Sequence, residues 1–157
     1  MADEAERQQL TAQVLEFANG VIASAGLDAS AETTLEEPDG VTVAFTGPDS
    51  RFLVGRGGAV LNALQYLALL SLTKRSNSRF HIIFDADNYR KRREETLRNL
   101  ASDLARQVLE TGQEAVLDPL SPLERRIVHQ VLADNPGVRT YSEGEEPERY
   151  IVIAPAS

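Results

Sequence analysis

The alternation of apolar and polar residues predicts a chain of mixed helices and strands. In residues 4–25, apolar side chains recur at helical spacing on one broad face, which predicts an amphipathic helix ended by Gly26. Residues 59–73 are so apolar that a helix there must be buried on most sides, by a sheet or by a partner. The elements predicted for this half are helix 4–25, strands 33–37 and 41–45 around Pro38-Asp39-Gly40, a short helical turn 49–54, helix 59–73 and strand 79–84.

A second unit is predicted to begin near Asp87. Its first helix carries an apolar stripe at Leu97, Leu100, Ala101, Leu104 and Val108. The elements predicted here are helix 88–111, strand 114–117, helix 119–133 and strands 138–141 and 149–153. The pattern therefore predicts an α+β protein in three parts: an N-terminal helix in 1–26, an α/β module in 27–86 and a second small α/β module in 87–157.

Charge is segregated along the chain, although the net charge is -8. Residues 51–106 hold 11 basic and 5 acidic residues, a net of +6, whereas residues 1–50 and 107–157 carry -9 and -5. A polyanion senses charge within a Debye length of about 10 Å, so the net charge does not exclude a nucleic acid. The lack of cysteine excludes disulfides and thiolate metal sites. The acidic, polar start is unlike a secretory signal, and we expect a cytoplasmic protein that does not insert into a membrane.

Residues 52–64, FLVGRGGAVLNAL, place a glycine-rich turn with one arginine between two apolar runs. Glycine admits positive φ and close backbone approach to a ligand, and the N-terminus of the helix that follows favours an anion. The alternative is a tight corner between helices in which glycine has only a steric role. No Gly-Lys-Ser/Thr follows and no third glycine has the dinucleotide spacing, so a nucleoside triphosphate or a dinucleotide is disfavoured.

A Gly-x-x-Gly turn between two helices, in the order helix–strand–strand–helix–helix–strand, resembles the type II KH domain. The resemblance implies a three-stranded sheet with helices on one face and a turn that clamps the backbone of about four single-stranded nucleotides. The residues that it implies as RNA contacts are the turn itself, Gly55, Arg56, Gly57 and Gly58, and an apolar floor that includes Val54, Val60 and Leu61. Base identity should be discriminated weakly, because the aromatic residues Phe52, Tyr66, Phe80 and Tyr89 are mostly expected in the core.

In PLERRIVH, Arg125 and His129 lie one helical turn apart and away from the apolar side of the predicted helix, so both are expected to be exposed. No nucleophile or carboxylate is visible to orient His129 for catalysis, and His81 is the only other histidine that could share a metal. Ordinary solvated surface is the simple alternative. The spacing resembles the R-three-H domain, a single-stranded nucleic-acid binder, which implies that Arg125, Arg126 and His129 contact phosphate or base edges.

A KH module followed directly by an R-three-H domain resembles the Jag/KhpB family over residues 4–155. The segments that carry the likeness are GRGGAVLNALQYL, DADNYRKRREETL, PLERRIVH and YSEGEEPERYIVI. Many members also carry an N-terminal Jag domain, which this sequence is expected to lack. The family implies a non-enzymatic RNA-binding protein in post-transcriptional regulation of cell elongation or envelope growth. It implies as partners single-stranded RNA, with DNA as a competing ligand, and a small KH protein of the KhpA type, and it leaves a homodimer open.

The basic run at the start of the long helix has two interpretations. It is either a solvated face, partly neutralised by Glu94 and Glu95, or a continuation of the nucleic-acid surface. Cations at a helix N-terminus oppose its dipole, a penalty that makes sense if they bind a ligand. We therefore predict RNA contacts at Arg90, Lys91, Arg92 and Arg93, whereas the acidic SEGEEPE loop should repel phosphate.

Two other classes of function stay open. An interaction adaptor could use the apolar helix 59–73, with the glycine turn degenerate. A nuclease would need clustered carboxylates, for which Asp85 and Asp87 are the only candidates in the basic segment. No metal or cofactor is predicted.

Overall fold

The computed structural model describes residues 4–37, 39–73 and 80–157. The chain divides into two compact units, Met1–Arg90 and Lys91–Ser157. The first unit contains α1 (Glu4–Ala25), β1 (Ser30–Glu37), β2 (Gly40–Thr46), α2 (Ser50–Val54), α3 (Ala59–Thr73) and β3 (His81–Ala86). A single 3-10 turn, Arg56–Gly58, separates α2 from α3. The predicted order of elements is that of the structure. Three predicted features fall partly or wholly outside the described residues: the turn at Pro38, the break at Lys74–Ser78 and the first residue of the predicted strand, Arg79.

The three strands of the first unit form one mixed sheet in the order β1-β2-β3. β1 and β2 are antiparallel, as expected for a hairpin. β2 and β3 are parallel, with Val43 opposite Phe84, because α2 and α3 carry the chain back across the sheet between them.

The core of the first unit lies on one face of this sheet. In β3, Ile82, Phe84 and Ala86 are buried, whereas His81 and Ile83 face outward. Phe84 packs against Phe17 of α1, with ring centroids 6.1 Å apart, and edge-on against Phe45 of β2 at 5.5 Å. Since the helices of the described residues pack on this face, the layer arrangement agrees with the α+β prediction.

Helix α3 departs from its prediction. Leu61 and Ala68 are buried against the sheet, but Tyr66 is 61% exposed, Leu67 52% and Leu70 42%. The expectation that this helix is covered on most sides is therefore not met by the part of the chain that the structure describes. By length and composition alone, Ser50–Leu72 would pass as a membrane span. That stretch is nevertheless two helices with a turn between them, and Gly57 in the turn has non-helical backbone angles.

The second unit contains most of α4 (Tyr89–Thr111), whose first two residues belong to the first unit, and then β4 (Ala115–Val116), α5 (Pro122–Leu132), β5 (Val138–Glu143) and β6 (Tyr150–Pro155). Its sheet is antiparallel, in the order β4-β6-β5. The core is formed by one stripe of α4 and by residues of α5 and β6: Leu97, Ala101, Ala105, Val108, Val128, Leu132, Ile151 and Ile153. Leu100, which the predicted stripe included, is 42% exposed.

Local sequence signals explain where α5 begins. The Ser121 hydroxyl accepts from the backbone N–H of Glu124, and the Glu124 carboxylate accepts from the backbone N–H of Ser121. This reciprocal capping box is followed by Pro122 in the first turn, where a missing N–H has no consequence.

Candidate nucleic-acid interface

The glycine turn joins α2 to α3 through left-handed backbone angles. Gly57 has φ 61° and ψ 23°, and Gly58 has φ 80°. A side chain on Gly57 would meet no atom within 4 Å, whereas one on Gly58 would begin 2.9 Å from the ring of Tyr89. Gly57 therefore lies at an open tip, whereas Gly58 lies against the Tyr89 ring.

The tip combines a cationic side chain with the start of a helix. Arg56 and Gly57 are exposed, and α3 begins immediately afterwards at Ala59, so the positive end of its dipole lies beside the arginine. The backbone N–H groups of Gly58 and Ala59 donate to the carbonyls of Gly55 and Arg56. Among the described residues, no ion pair engages Arg56. An anion can therefore approach the guanidinium and the positive end of the α3 dipole together.

The apolar floor is smaller than predicted. Val54 and Val60 are partly buried and retain some accessible surface. Leu61 is fully buried in the core of the first unit. This corrects the expectation for Leu61, because a side chain with no accessible surface cannot support a base.

The basic run at the start of α4 is divided between internal and exposed side chains. Arg90 donates to the Phe84 carbonyl at 2.6 Å, to Asn62 Oδ1 at 3.1 Å and to Gln65 Oε1 at 3.0 Å. Arg93 Nε lies 2.7 Å from Glu124 Oε1, so it ties α4 to the start of α5. Lys91 and Arg92 are the exposed members of the run. RNA contact by any of the four stays a prediction, and exposure favours Lys91 and Arg92.

The arginine of the Arg-x-x-x-His motif is not exposed as predicted. Arg125 is buried, with 8% of its surface accessible. It donates to the Leu120 carbonyl at 2.7 Å and pairs with Glu146 of the acidic loop. The apolar pattern of α5 alone predicts an exposed Arg125. The carboxylate that pairs with it lies 21 residues further along the chain, so that pattern does not indicate it.

The histidine of the motif is also partly enclosed. His129 Nδ1 lies 2.7 Å from Thr140 Oγ1 and its Nε2 lies 3.1 Å from Ser142 Oγ, both on β5. Partial burial lowers the pKa of His129 below its ordinary value of 6.5, and the positive charge of Arg125 lowers it further. The neutral ring therefore joins α5 to β5. Arg126, the neighbour of the motif arginine, is exposed.

Arg51 and Phe52 form an exposed pair beside the turn, which the sequence pattern does not indicate. Phe52 is 55% exposed rather than in the core, and the Arg51 guanidinium carbon lies 4.8 Å from the centre of its ring. Tyr66, also expected in the core, is exposed. Because α2 has only five residues, its apolar pattern is too short to indicate which side faces inward.

Comparison with known proteins identifies both a domain and a family. The family model of the R-three-H domain matches residues 95–155. The RNA-binding protein KhpB of Clostridium symbiosum is 36% identical over 150 residues, which cover 94% of this chain and 67% of that protein. The chain belongs to the KhpB family.

Two further KhpB relatives agree with this membership. The RNA-binding protein KhpB of Bacillus subtilis is 38% identical over 135 residues, 85% of this chain and 65% of that protein. The protein of the same name from Lactiplantibacillus plantarum is 40% identical over 113 residues, 72% of this chain but only 35% of that protein. The chain thus spans between about a third and two thirds of the length of these KhpB relatives.

Proposed function

We propose that this KhpB-family chain binds single-stranded RNA and that the glycine turn is its principal grip. The observation that carries the proposal is the open tip, where Arg56 and Gly57 are exposed at the start of α3. Its support from outside the chain is that KhpB relatives bear the name RNA-binding protein. The turn would hold the sugar-phosphate backbone as in type II KH domains, with Val54 and Val60 beneath the bases.

The second unit has exposed cations of its own, which we propose also contact RNA. Lys91, Arg92 and Arg126 carry charge at the surface, whereas Arg93 and Arg125 are engaged by Glu124 and Glu146. Contacts from these side chains to phosphates would add affinity without sequence preference. By resemblance, we extend the proposal to a cytoplasmic, non-enzymatic role in post-transcriptional control of cell elongation or envelope growth.

The test is the double variant Arg56→Asp/Gly57→Asp in the full chain. Asp adopts left-handed angles more readily than most residues and meets nothing within 4 Å at position 57, so the first unit should stay folded. Affinity for a mixed-sequence single-stranded RNA, measured by fluorescence anisotropy, should fall at least about tenfold because three unit charges change at the grip.

The matched control is Arg7→Asp/Gln8→Asp on α1, which changes the net charge by the same amount away from the turn. Its RNA affinity should stay close to that of the parent chain. Equal affinity of the turn variant and the parent at physiological salt would refute the turn as the grip.

An adaptor function is the second candidate, and the exposed apolar face of α3 favours it. Tyr66, Leu67 and Leu70 present a row of large apolar side chains that nothing covers among the described residues. Salt dependence separates the two functions. An RNA binder loses affinity linearly in the logarithm of salt concentration, with a slope of about 0.7 per phosphate contact, whereas an adaptor binds no RNA.

The same face is where we propose that a small KH protein of the KhpA type docks. Leu67→Glu should abolish co-purification with such a protein, and Leu100→Glu on the exposed side of α4 is the matched control. Light scattering of the same variants tests a homodimer through this face. A complex that survives Leu67→Glu would exclude this face of α3 as the docking site.

The RNA targets need a separate experiment. Crosslinking in the protein's own cells, followed by sequencing of the attached RNA, would identify them.

A further inference from the structure

The corner between β3 and α4, residues 85–90, contacts three successive parts of the helix–turn–helix that carries the glycine turn. All the residues concerned belong to the first unit. The Asp85 carboxylate fixes the corner itself, because its Oδ1 accepts from the backbone N–H groups of Ala86 at 2.8 Å and Arg90 at 3.2 Å. Asp87 and Asn88 then adopt left-handed angles, with φ of 51° and 56°.

The first contact reaches the start of α2. The hydroxyl of Ser50 donates to Asp87 Oδ2. Ser50 is buried, with 2% of its surface accessible, so its hydroxyl cannot turn to bulk water for a partner. The side chain of Asp87 therefore holds the helix that leads into the turn.

The second contact backs the end of the turn. The Tyr89 ring lies 2.9 Å from the point where a Cβ on Gly58 would stand. Tyr89 is also packed against the core of the first unit. The ring thus fills the space behind Gly58 and limits how far the turn can move toward the protein.

The third contact reaches the helix that follows the turn. Arg90 bridges Asn62 and Gln65 on the first two turns of α3 and returns to the Phe84 carbonyl at the end of β3. The amide oxygen of Gln65 also accepts from the Phe84 backbone N–H at 3.0 Å. The corner thus contacts α2, the turn and α3 together.

We infer that Asp87 and Tyr89 are positioning residues for the glycine turn: they hold its two ends in the shape that receives a nucleic-acid phosphate. The inference rests on the proposed function of the turn. A turn held before the ligand arrives loses less conformational freedom on binding, which favours affinity without any additional contact. Neither residue has to touch the RNA.

The test uses two uncharged replacements of Asp87, so both variants lose the same charge. Asp87→Asn and Asp87→Gly both tolerate a φ of 51°, and only Asn retains an acceptor for the Ser50 hydroxyl. Tyr89→Phe and Tyr89→Leu form a second pair, of which only Phe retains the ring. Ile82→Val, a core replacement in β3 of the same unit, is the control for general loss of stability.

Two measurements on the full chain decide the inference. In the free protein, ¹⁵N relaxation of residues 55–58 should show increased motion in Asp87→Gly and Tyr89→Leu but not in Asp87→Asn, Tyr89→Phe or Ile82→Val. Affinity for single-stranded RNA should fall about tenfold in the first two variants and stay within about twofold in the other three.

Unchanged turn dynamics in Asp87→Gly and Tyr89→Leu would overturn the inference, as would an equal loss of affinity in Ile82→Val. The relaxation measurement needs no RNA, so it decides the positioning role even if the parent chain fails to bind RNA. Conversely, loss of binding in Arg56→Asp/Gly57→Asp together with full binding in Asp87→Gly would preserve the proposed function and overturn the positioning role.

Discussion

The two glycines at the end of the turn should respond very differently to the same replacement by alanine. Both have left-handed backbone angles, which in a residue with a Cβ cost about 1–2 kcal/mol. Gly57 faces open space, so Gly57→Ala should destabilise the first unit by only that amount.

Gly58→Ala meets an additional obstacle. Its Cβ would lie 2.9 Å from Tyr89 Cε1, whereas carbon atoms pack favourably at about 3.5–4.0 Å. The ring, which is partly buried against the core of the first unit, must therefore move by about 0.6 Å or more, and overpacking of this kind costs about 1–3 kcal/mol. The total loss for Gly58→Ala should be about 3 kcal/mol, roughly twice the loss for Gly57→Ala.

Urea titration followed by amide signals measures this difference in the full chain. Val43 and Phe84 report the first unit and Ile151 the second, since all three are core residues. In a Tyr89→Leu background the ring edge is absent, so the gap between the two alanine variants should shrink. Equal destabilisation by Gly57→Ala and Gly58→Ala in the parent background would refute the contact between Gly58 and Tyr89.

Three further predictions concern the second unit. Among the described residues, Glu146→Ala leaves the buried Arg125 guanidinium with the Leu120 carbonyl as its one partner. The variant should reduce the unfolding free energy by about 1–2 kcal/mol, less than for a fully buried pair because Glu146 is half exposed, and no shift in the urea midpoint of Ile151 would contradict the pair. Because the pKa of His129 is lower in the folded state, the unfolded state binds more protons, so stability should be full above pH 6.5 and fall as the pH drops toward the folded pKa. Thermal melting should show this slope in the parent and in His81→Gln but not in His129→Gln, and a slope retained in His129→Gln would assign it to another group. Arg126→Glu should weaken RNA binding and reduce the salt slope by about 0.7 for each phosphate that the variant no longer neutralises, with no change in melting temperature, whereas an unaltered slope would place Arg126 outside the footprint.

Elements with long, regular patterns could be predicted from the sequence. The apolar face of α1 and the turn and strand signals of β2 and β3 are local, and the structure buries Leu10, Val14 and Ala18 of the face predicted for α1. The capping of α5 is equally local, because Ser121, Pro122 and Glu124 lie within four residues of one another. Interactions between residues close in sequence determine such features, so they do not depend on distant contacts.

Features that depend on distant partners could not be predicted. The burial of Arg125 depends on Glu146, and the buried state of Ser50 depends on Asp87, 37 residues away. Leu61 follows a turn with left-handed angles, so the direction of its side chain depends on how that turn sets the start of α3. The expectation of an accessible Leu61 comes from the resemblance to the KH domain, which implies an apolar floor there, and not from the helical pattern.

The arginines of the two motifs differ in what surrounds them rather than in their sequence context. Arg125 belongs to the motif that contains His129, and it is paired with Glu146 of its own unit. Arg56 lies beside Gly57 at the exposed tip of the turn, with no ion pair among the described residues. The same distinction separates Arg93, held by Glu124, from Arg92 one position earlier. Internal pairing thus removes some cations of the basic segment from any ligand and also neutralises some of the carboxylates that would repel one. An acidic chain can therefore present positive charge to a phosphate at a few surface positions, and in the first unit the glycine turn is the place where such a charge coincides with the N-terminus of a long helix.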